Sequence, residues 1–245
     1  MTYAREHAEA ARIADAAGAV LMALRHEGTL TDKALRDEGD RRAHDCIMAL
    51  LANAFPDDAV LSEEGRDDTV RLQRDRVWIV DPLDGTREYA EGRTDWAVHV
   101  ALALDGVAAI GAVALPALGE VLATQPAPSV APATDGPPRM VVSRTRPPEV
   151  TEQIRAALGA QLVPMGSAGA KTMAVIRGEA DVYAHAGGQY EWDSAAPVAV
   201  AAAAGLHVSR LDGSPLRYNN ADVYLPDLLV CRPEHADAVI TAARG

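Results

Sequence analysis

Trp78-Ile79-Val80-Asp81-Pro82-Leu83-Asp84-Gly85-Thr86 is an apolar run that enters two aspartates three positions apart and leaves through a glycine and a threonine. The run from Val77 to Val80 reads as a short strand. If that strand ends at Asp81, its carboxylate emerges at the carboxyl edge of a sheet. Pro82 lacks the N–H that a central ladder needs, so the chain is expected to turn there and bring Asp84 to the same point. Two carboxylates converging at a strand end are costly unless a cation lies between them. Oxygen-only ligands at such a turn suit Mg²⁺. The amides of Gly85 and Thr86 then open the next segment and point at an anion, as helix starts do. The same string also reads as an Asx-type turn in which both aspartates cap local amides.

Two further acidic groups stand at comparable places. Ser62-Glu63-Glu64-Gly65 follows the apolar stretch Ala59 to Leu61, again at an expected strand end. Adjacent glutamates by themselves describe a solvated face. Glu191-Trp192-Asp193 precedes an Ala-rich run. Asp193 alone reads as a helix N-cap, with Pro197 tolerated in the first turn.

Outward from these sites, Tyr3 to Arg25 has the spacing of an amphipathic helix that Gly28 stops. A second helix is expected from Arg41 to Phe55. Strands are expected over Ala97–Leu104, Val107–Ala114 and Glu120–Ala123, the first two joined by an Asp105-Gly106 hairpin turn. Gln125 to Pro138 holds Pro126, Pro128, Pro132, Pro137 and Pro138 and shows no periodicity. It reads as a surface connection and the best boundary. It divides an N-terminal α+β subdomain (1–125) from a connection (126–138) and a C-terminal α/β subdomain (139–245). In the second half, strands over Met140–Ser143, Gln161–Pro164, Asp181–Ala184 and Leu228–Cys231 alternate with helices over Glu149–Leu158, Ala170–Arg177, Ser194–Ala204 and Glu234–Ala243. No internal repeat is visible.

The 245 residues carry 23 basic and 35 acidic side chains, a formal charge of −12, and are 49% hydrophobic. A sizeable core is therefore expected and disorder is not. Aromatic residues make up only 4%, too few for a platform on which bases stack. The acidic balance also argues against binding polymeric nucleic acid. Two isolated cysteines, Cys46 and Cys231, form neither a disulfide framework nor a zinc cluster. Glu6, Glu9 and Asp15 near the start do not fit a signal peptide, and the apolar run from Ala195 to Leu206 is too short to span a bilayer. A cytoplasmic protein without membrane or nucleic-acid partners is expected.

Taken together, Ser62-Glu63-Glu64, Asp81-Pro82-Leu83-Asp84-Gly85-Thr86 and Trp192-Asp193-Ser194-Ala195-Ala196 resemble the signature set of the inositol monophosphatase superfamily, which are Mg²⁺-dependent, lithium-sensitive phosphatases. The flanks are most similar to its 3'(2'),5'-bisphosphate nucleotidase branch, the CysQ type. Arg87-Glu88-Tyr89, Val142-Ser143-Arg144-Thr145, Gly166-Ser167 with Lys171, Gly178-Glu179-Ala180-Asp181-Val182-Tyr183 and Glu191-Trp192-Asp193 carry that likeness. One departure stands out. Asp37-Glu38-Gly39-Asp40 occupies the place of a Thr-x-Ala-Asp segment, so Asp37 replaces a threonine.

The resemblance implies a layered αβαβα sandwich with two subdomains and metals at their junction. It implies two to three Mg²⁺ ions. Glu63, Asp81 and the Leu83 carbonyl would hold one; Asp81, Asp84 and Asp193 would hold a second; a third, weaker site would lie near Glu63 and Asp40. It makes Thr86 the residue that orients the attacking water, helped by Glu63 or Asp40. It places phosphate oxygens on the amides of Gly85 and Thr86 beside Leu83, Asp84 and Asp193. Lys33 is expected near the scissile phosphate, and Ser143, Arg144 and Lys171 near a second phosphate. The implied reaction is hydrolysis of 3'-phosphoadenosine 5'-phosphate in sulfate assimilation, with inositol phosphate or fructose bisphosphate as alternative substrates; a metal-binding regulator that has lost catalysis is the alternative of a different class, and intact Asp81, Asp84, Thr86 and Asp193 argue against it. The partner is then a small phosphorylated molecule, and relatives of this kind often pair as homodimers.

Overall fold

The computed structural model describes residues 3–133, 135–145 and 149–244. Two long helices come first, α1 (Ala4–Glu27) and α2 (Asp32–Ala54). Next are β1 (Ala59–Ser62), β2 (Arg76–Asp84), the short α3 (Thr86–Ala90), β3 (Ala97–Leu104), β4 (Val107–Leu115) and β5 (Glu120–Ala123). Beyond the proline-rich connection lie β6 (Arg139–Ser143), α4 (Val150–Leu158), β7 (Gln161–Met165), α5 (Ala168–Ile176), β8 (Val182–Tyr190), α6 (Glu191–Ala203), β9 (His207–Ser209), β10 (Tyr224–Cys231) and α7 (Ala236–Arg244). The strands form two five-stranded sheets, ordered β1-β2-β3-β4-β5 and β7-β6-β8-β10-β9. In the first sheet only β1 and β2 are parallel. In the second, β6 runs parallel to both β7 and β8, and β10 is antiparallel to β8 and β9.

Strand alternation sorts the apolar residues into layers. Trp78 and Val80 of β2, with Val98, Val100 and Leu102 of β3, face α1 and α2 and pack on Ile13, Leu21, Ile47 and Leu51. The intervening positions, Val77, Ile79, Ala97, Ala101 and Ala103, face the other way. They join a core with Met173 and Val175 of α5, Ala195, Ala196 and Val200 of α6, and Tyr183 and Val230 of the second sheet. The far face of that sheet buries Met140, Val182 and Leu229 under Ile154 of α4 and Val239 of α7. The order is helix pair, sheet, helix pair, sheet, helix pair, the expected αβαβα sandwich. The run of alanines in α6 gives that helix the slim profile of a middle layer.

Several expected boundaries shift. The strand does not end at Asp81. β2 continues through Pro82 to Asp84, with Asp81 opposite His99 and Asp84 opposite Ala97, so Pro82 and Leu83 together face the single residue Val98. This bulge is what admits a proline, because β1 pairs with β2 only as far as Val80. The second helix begins at Asp32 rather than Arg41. Lys33–Asp37, Arg41–Glu38 and Arg42–Glu38 pairs at helical spacing support the added turns. Asp37 and Asp40 thus lie within a helix, not in a segment before it. Helix α6 starts at Glu191, so Asp193 is its third residue and not its N-cap.

Asp181 ties the connection to the second sheet. Its carboxylate accepts from the Arg139 amide at 2.8 Å and from Arg232 Nε at 3.0 Å, and Arg232 also donates to the Ala131 carbonyl at 2.6 Å. Asp181→Ala leaves a buried guanidinium unpaired and should cost about 3 kcal/mol, read as a lower urea midpoint. A loss under about 1 kcal/mol, the level of an exposed pair, would contradict this reading.

Candidate active site

The bulge in β2 turns Asp84 toward the face that already carries Asp81, and the first turn of α6 supplies Asp193. One carboxylate oxygen from each of the three lies within 4.8 Å of the others. Asp81 and Asp84 are buried. Each acid also has a protein hydrogen bond that fixes it. The Leu83 amide donates to Asp81 Oδ1 at 3.0 Å. Ser167 Oγ at 2.5 Å and the Gly169 amide at 2.7 Å donate to Asp84 Oδ2. The Tyr190 amide donates to Asp193 Oδ2 at 2.6 Å. Glu63, just past β1, brings its carboxyl to Asp81. Of the two adjacent glutamates, it is therefore Glu63 that joins the cluster.

Electrostatics sort these acids. Burial, with Glu63, Asp84 and Asp193 as neighbours, raises Asp81 well above the usual carboxylate value. Burial also raises Glu63, which shares its contact with Asp81. Burial and the charge of Asp84 push Asp193 up to about 7. Asp84 goes the other way: burial opposes ionisation, but the contacts from His99, Ser167 and Gly169 outweigh it and hold Asp84 below its ordinary value. On α2, burial together with Glu64, Glu63 and Asp37 pushes Asp40 up to about 7. A set of oxygen donors held together against their own repulsion fits a hard divalent cation. These residues can hold a metal ion.

Two cavities open beside the cluster. One, about 520 Å³, is lined by Asp84, Asp193, Ser167, Lys171 and the β8 stretch His185–Gln189. The other, about 410 Å³, shares Ser143, Ser167 and Lys171 with it and adds Arg36, Arg87 and Arg144. Ser143, Arg144 and Lys171 are therefore gathered beside the acids. Arg144 is engaged there, donating to Glu88 and to Glu91 at 2.7 Å each. Lys171 is buried, bonds the Gly166 carbonyl at 3.1 Å and lies over the Tyr183 ring; burial lowers its pKa. Lys33 lines neither cavity. It sits exposed on the first turn of α2, paired with Asp37 at 2.5 Å. Gly85 has φ +88°, and a Cβ there would press on Ser167 and Trp96 at 3.2 Å. Only glycine passes this point without strain and delivers Thr86 to the start of α3.

The inositol monophosphatase family profile matches residues 4–244. The chain belongs to the inositol monophosphatase family. It is 51% identical over 249 residues to a Mycobacterium leprae protein named 3'-phosphoadenosine 5'-phosphate phosphatase, covering 96% of this chain and 92% of that protein. It is 32% identical over 197 residues to the Escherichia coli (strain K12) 3'(2'),5'-bisphosphate nucleotidase CysQ, covering 76% and 80%. Among solved structures, CysQ from Bacteroides thetaiotaomicron, a bacterial member of the same family, superposes with a TM-score of 0.80 at 30% identity over 93% of this chain and 97% of that one. The expected family and its layered fold are both borne out.

The sequence assigned no role at the site to several residues that the fold gathers there. Arg36 and Arg87 reach the second cavity. Ser167 and Gly169 fix Asp84 from α5. His99 is wholly buried and faces Asp84 at 3.3 Å. Arg87 and Ser167 stand in the flanking motifs quoted above, and His99 is a polar residue between Ala97 and Ala101 in an otherwise apolar strand.

Asp81, Glu63 and Asp193 ionise less readily in the folded chain than in the unfolded one. Their contribution to stability is thus complete below about pH 4 and disappears as pH rises through the folded values, about 7 for Asp193. Metal-free protein should melt several degrees lower near pH 8 than near pH 5.5, and millimolar Mg²⁺ should raise the melting temperature more at the higher pH, because binding releases protons. Asp81→Asn should remove most of both effects. A metal-free melting temperature that rises over this range would contradict the assignment.

Proposed function

We propose that this chain is a Mg²⁺-dependent phosphatase that hydrolyses 3'-phosphoadenosine 5'-phosphate to AMP and phosphate, a reaction belonging to sulfate assimilation. The observation that carries this reading is the cluster of Asp81, Asp84 and Asp193, whose cavity shares Ser143, Ser167 and Lys171 with a second cavity lined by Arg36, Arg87 and Arg144. The relatives' names point to the same substrate. A cytoplasmic place of action agrees with the two free thiols.

Glu63, Asp81, the Leu83 carbonyl, Asp84 and Asp193 would hold two Mg²⁺ ions, with a third near Asp40 and Glu63. Bound there, the ions would supply positive charge to the phosphoryl group in flight and lower the pKa of water. The chain's own groups do the rest. The Thr86 hydroxyl orients the attacking water, and Glu63 or Asp40 takes its proton. A value of about 7 for Asp40 suits that exchange near neutral pH. The Gly85 and Thr86 amides hold phosphate oxygens. Water adds to phosphorus, the bond to the 3'-oxygen breaks, and that oxygen leaves as the ribose hydroxyl. Phosphoryl transfer asks little covalent chemistry of the protein, so positioning and charge govern the rate.

The 5'-phosphate is not cleaved and must be held elsewhere. Arg144 and Lys171, with Ser143, Arg36 and Arg87 around the same cavity, supply the charge for it. A phosphate there would compete with Glu88 and Glu91 for the Arg144 guanidinium.

Asp84→Asn keeps the size of the side chain and removes its charge; turnover should fall at least about 100-fold. Near-normal turnover at saturating Mg²⁺ would overturn the metal assignment. For substrate choice, Arg144→Ala and Lys171→Met should each be assayed on the bisphosphate and on inositol monophosphate. Loss of a charge-assisted hydrogen bond is worth about 1.5–3 kcal/mol, so kcat/KM for the bisphosphate should drop roughly tenfold to a hundredfold, with inositol monophosphate nearly unaffected. Equal losses on both substrates would reject the two residues as the second phosphate site.

A further inference from the structure

His99 is the one imidazole among the described residues with no exposed surface, and it stands in a row of small apolar side chains. Along β3 the inward positions are Ala97, His99, Ala101 and Ala103. An imidazole at such a place loses its water, and its nitrogens need partners inside the protein. Its Nδ1 lies 3.0 Å from the Trp192 carbonyl. A carbonyl only accepts, so Nδ1 is the donor in that bond. Its Nε2 faces Asp84 Oδ2 at 3.3 Å. That contact is close but poorly aligned as a hydrogen bond, and Nε2 has no other partner.

The surroundings are shaped for this ring. A Cβ on Gly169 would fall 2.1 Å from Nε2, so helix α5 can approach, and its Gly169 amide can reach Asp84, only because that side chain is missing. Directly across the ladder from His99 is Asp81. The Trp192 carbonyl belongs to the residue just before Asp193. A single side chain on β3 therefore meets β2 at Asp84 and α6 beside Asp193, and lies opposite Asp81. These are the three acids of the cluster, and they come from elements that share no covalent neighbour.

We propose that His99 is a positioning residue of the metal site, whose ring sets the spacing between Asp84 and Asp193 by anchoring the first turn of α6 through Nδ1 and wedging against the Asp84 carboxylate on its other side. Asp84 repels Asp81 and Asp193, and nothing in strand geometry alone would keep the β2 bulge and the α6 turn at a fixed separation. A ring anchored at Nδ1 and packed against Asp84 and Gly169 supplies that strut. Its effect falls on how well the site is organised for a cation and not on the rest of the substrate. This inference rests on the metal-dependent reading above.

The test uses two variants of the full chain, His99→Leu and His99→Gln, with Mg²⁺ as the probe. The readouts are the Mg²⁺ concentration at half-maximal melting-temperature shift, the Mg²⁺ concentration at half-maximal activity, and KM for the bisphosphate at saturating Mg²⁺. Leucine fills the space without donors and glutamine retains one amide donor. His99→Leu should lower the metal-free melting temperature by no more than a few degrees, because the Trp192 carbonyl loses its donor and ionised Asp84 loses a favourable contact. It should raise both Mg²⁺ midpoints at least tenfold while KM stays within about twofold. His99→Gln should recover part of the lost Mg²⁺ midpoint. Wild-type Mg²⁺ midpoints in His99→Leu would overturn the proposal. So would equal loss of melting temperature, Mg²⁺ midpoint and KM in both variants, the pattern of a purely structural histidine. Because the melting shift is read on metal alone, failure to turn over the bisphosphate would reject the substrate assignment and leave this test standing. A wild-type chain without any Mg²⁺ shift would reject the metal site and this proposal together.

Discussion

Mutual repulsion among buried carboxylates is the constraint on which this structure turns. Asp81, Asp84 and Asp193 offer oxygens within 4.8 Å of one another, and Glu63 adds a fourth acid at Asp81. At the low effective dielectric of a protein interior such a group opposes folding unless protons or a cation neutralise it. The acids are nonetheless gathered from a strand, the end of a neighbouring strand and the start of a middle-layer helix. Each of the three aspartates is pinned by an amide or hydroxyl. The sandwich supplies the apolar burial that offsets this local cost, and the residual need for positive charge is what makes the site useful.

Close packing at the junction has the same origin. Helices α5 and α6 lie between the sheets because their own surfaces are narrow, alanine and glycine where they meet the first sheet. Gly85 accepts a backbone conformation that other residues resist, and Gly169 leaves room for an imidazole. Larger side chains at either point would push a helix away from β2 and widen the carboxylate cluster. The same slimness leaves the cavities beside the acids, so packing and substrate access follow from one compositional choice.

Much of this was visible in the chain before folding. The apolar runs Val77–Val80 and Ala97–Leu104, the Asp105-Gly106 turn and the proline-rich break after Gln125 placed most elements within a few residues. The errors fell where tertiary partners override local rules. Pro82 was expected to end a strand, but the β1 edge is already spent at Val80, so a bulge absorbs it. Asp193 read as an N-cap because helix starts favour aspartate; the helix gains a turn because buried Glu191 is satisfied by Asn219 and Asn220. The helix expected from Arg41 begins at Asp32, where lysine and arginine pairs at spacings of three and four offset the acidic side chains.

The sequence by itself determined which chemistry is available. Carboxylates at Glu63, Asp81, Asp84 and Asp193, with a glycine and a threonine behind them, are covalent facts, and their string is distinctive enough to name the family. The layers followed from the resemblance that this string carries, and the elements read from local patterning are the ones such layers need. Only the tertiary structure decided which oxygens meet, that Glu63 rather than Glu64 turns to Asp81, that Lys33 stays in solvent with Asp37, and that His99 joins two ligand-bearing elements. Apart from pairs within one element, such as Lys33–Asp37, those outcomes depend on distances between residues far apart in the chain. Local propensity carries no information about such distances; they are set when the two sheets close on the helices between them.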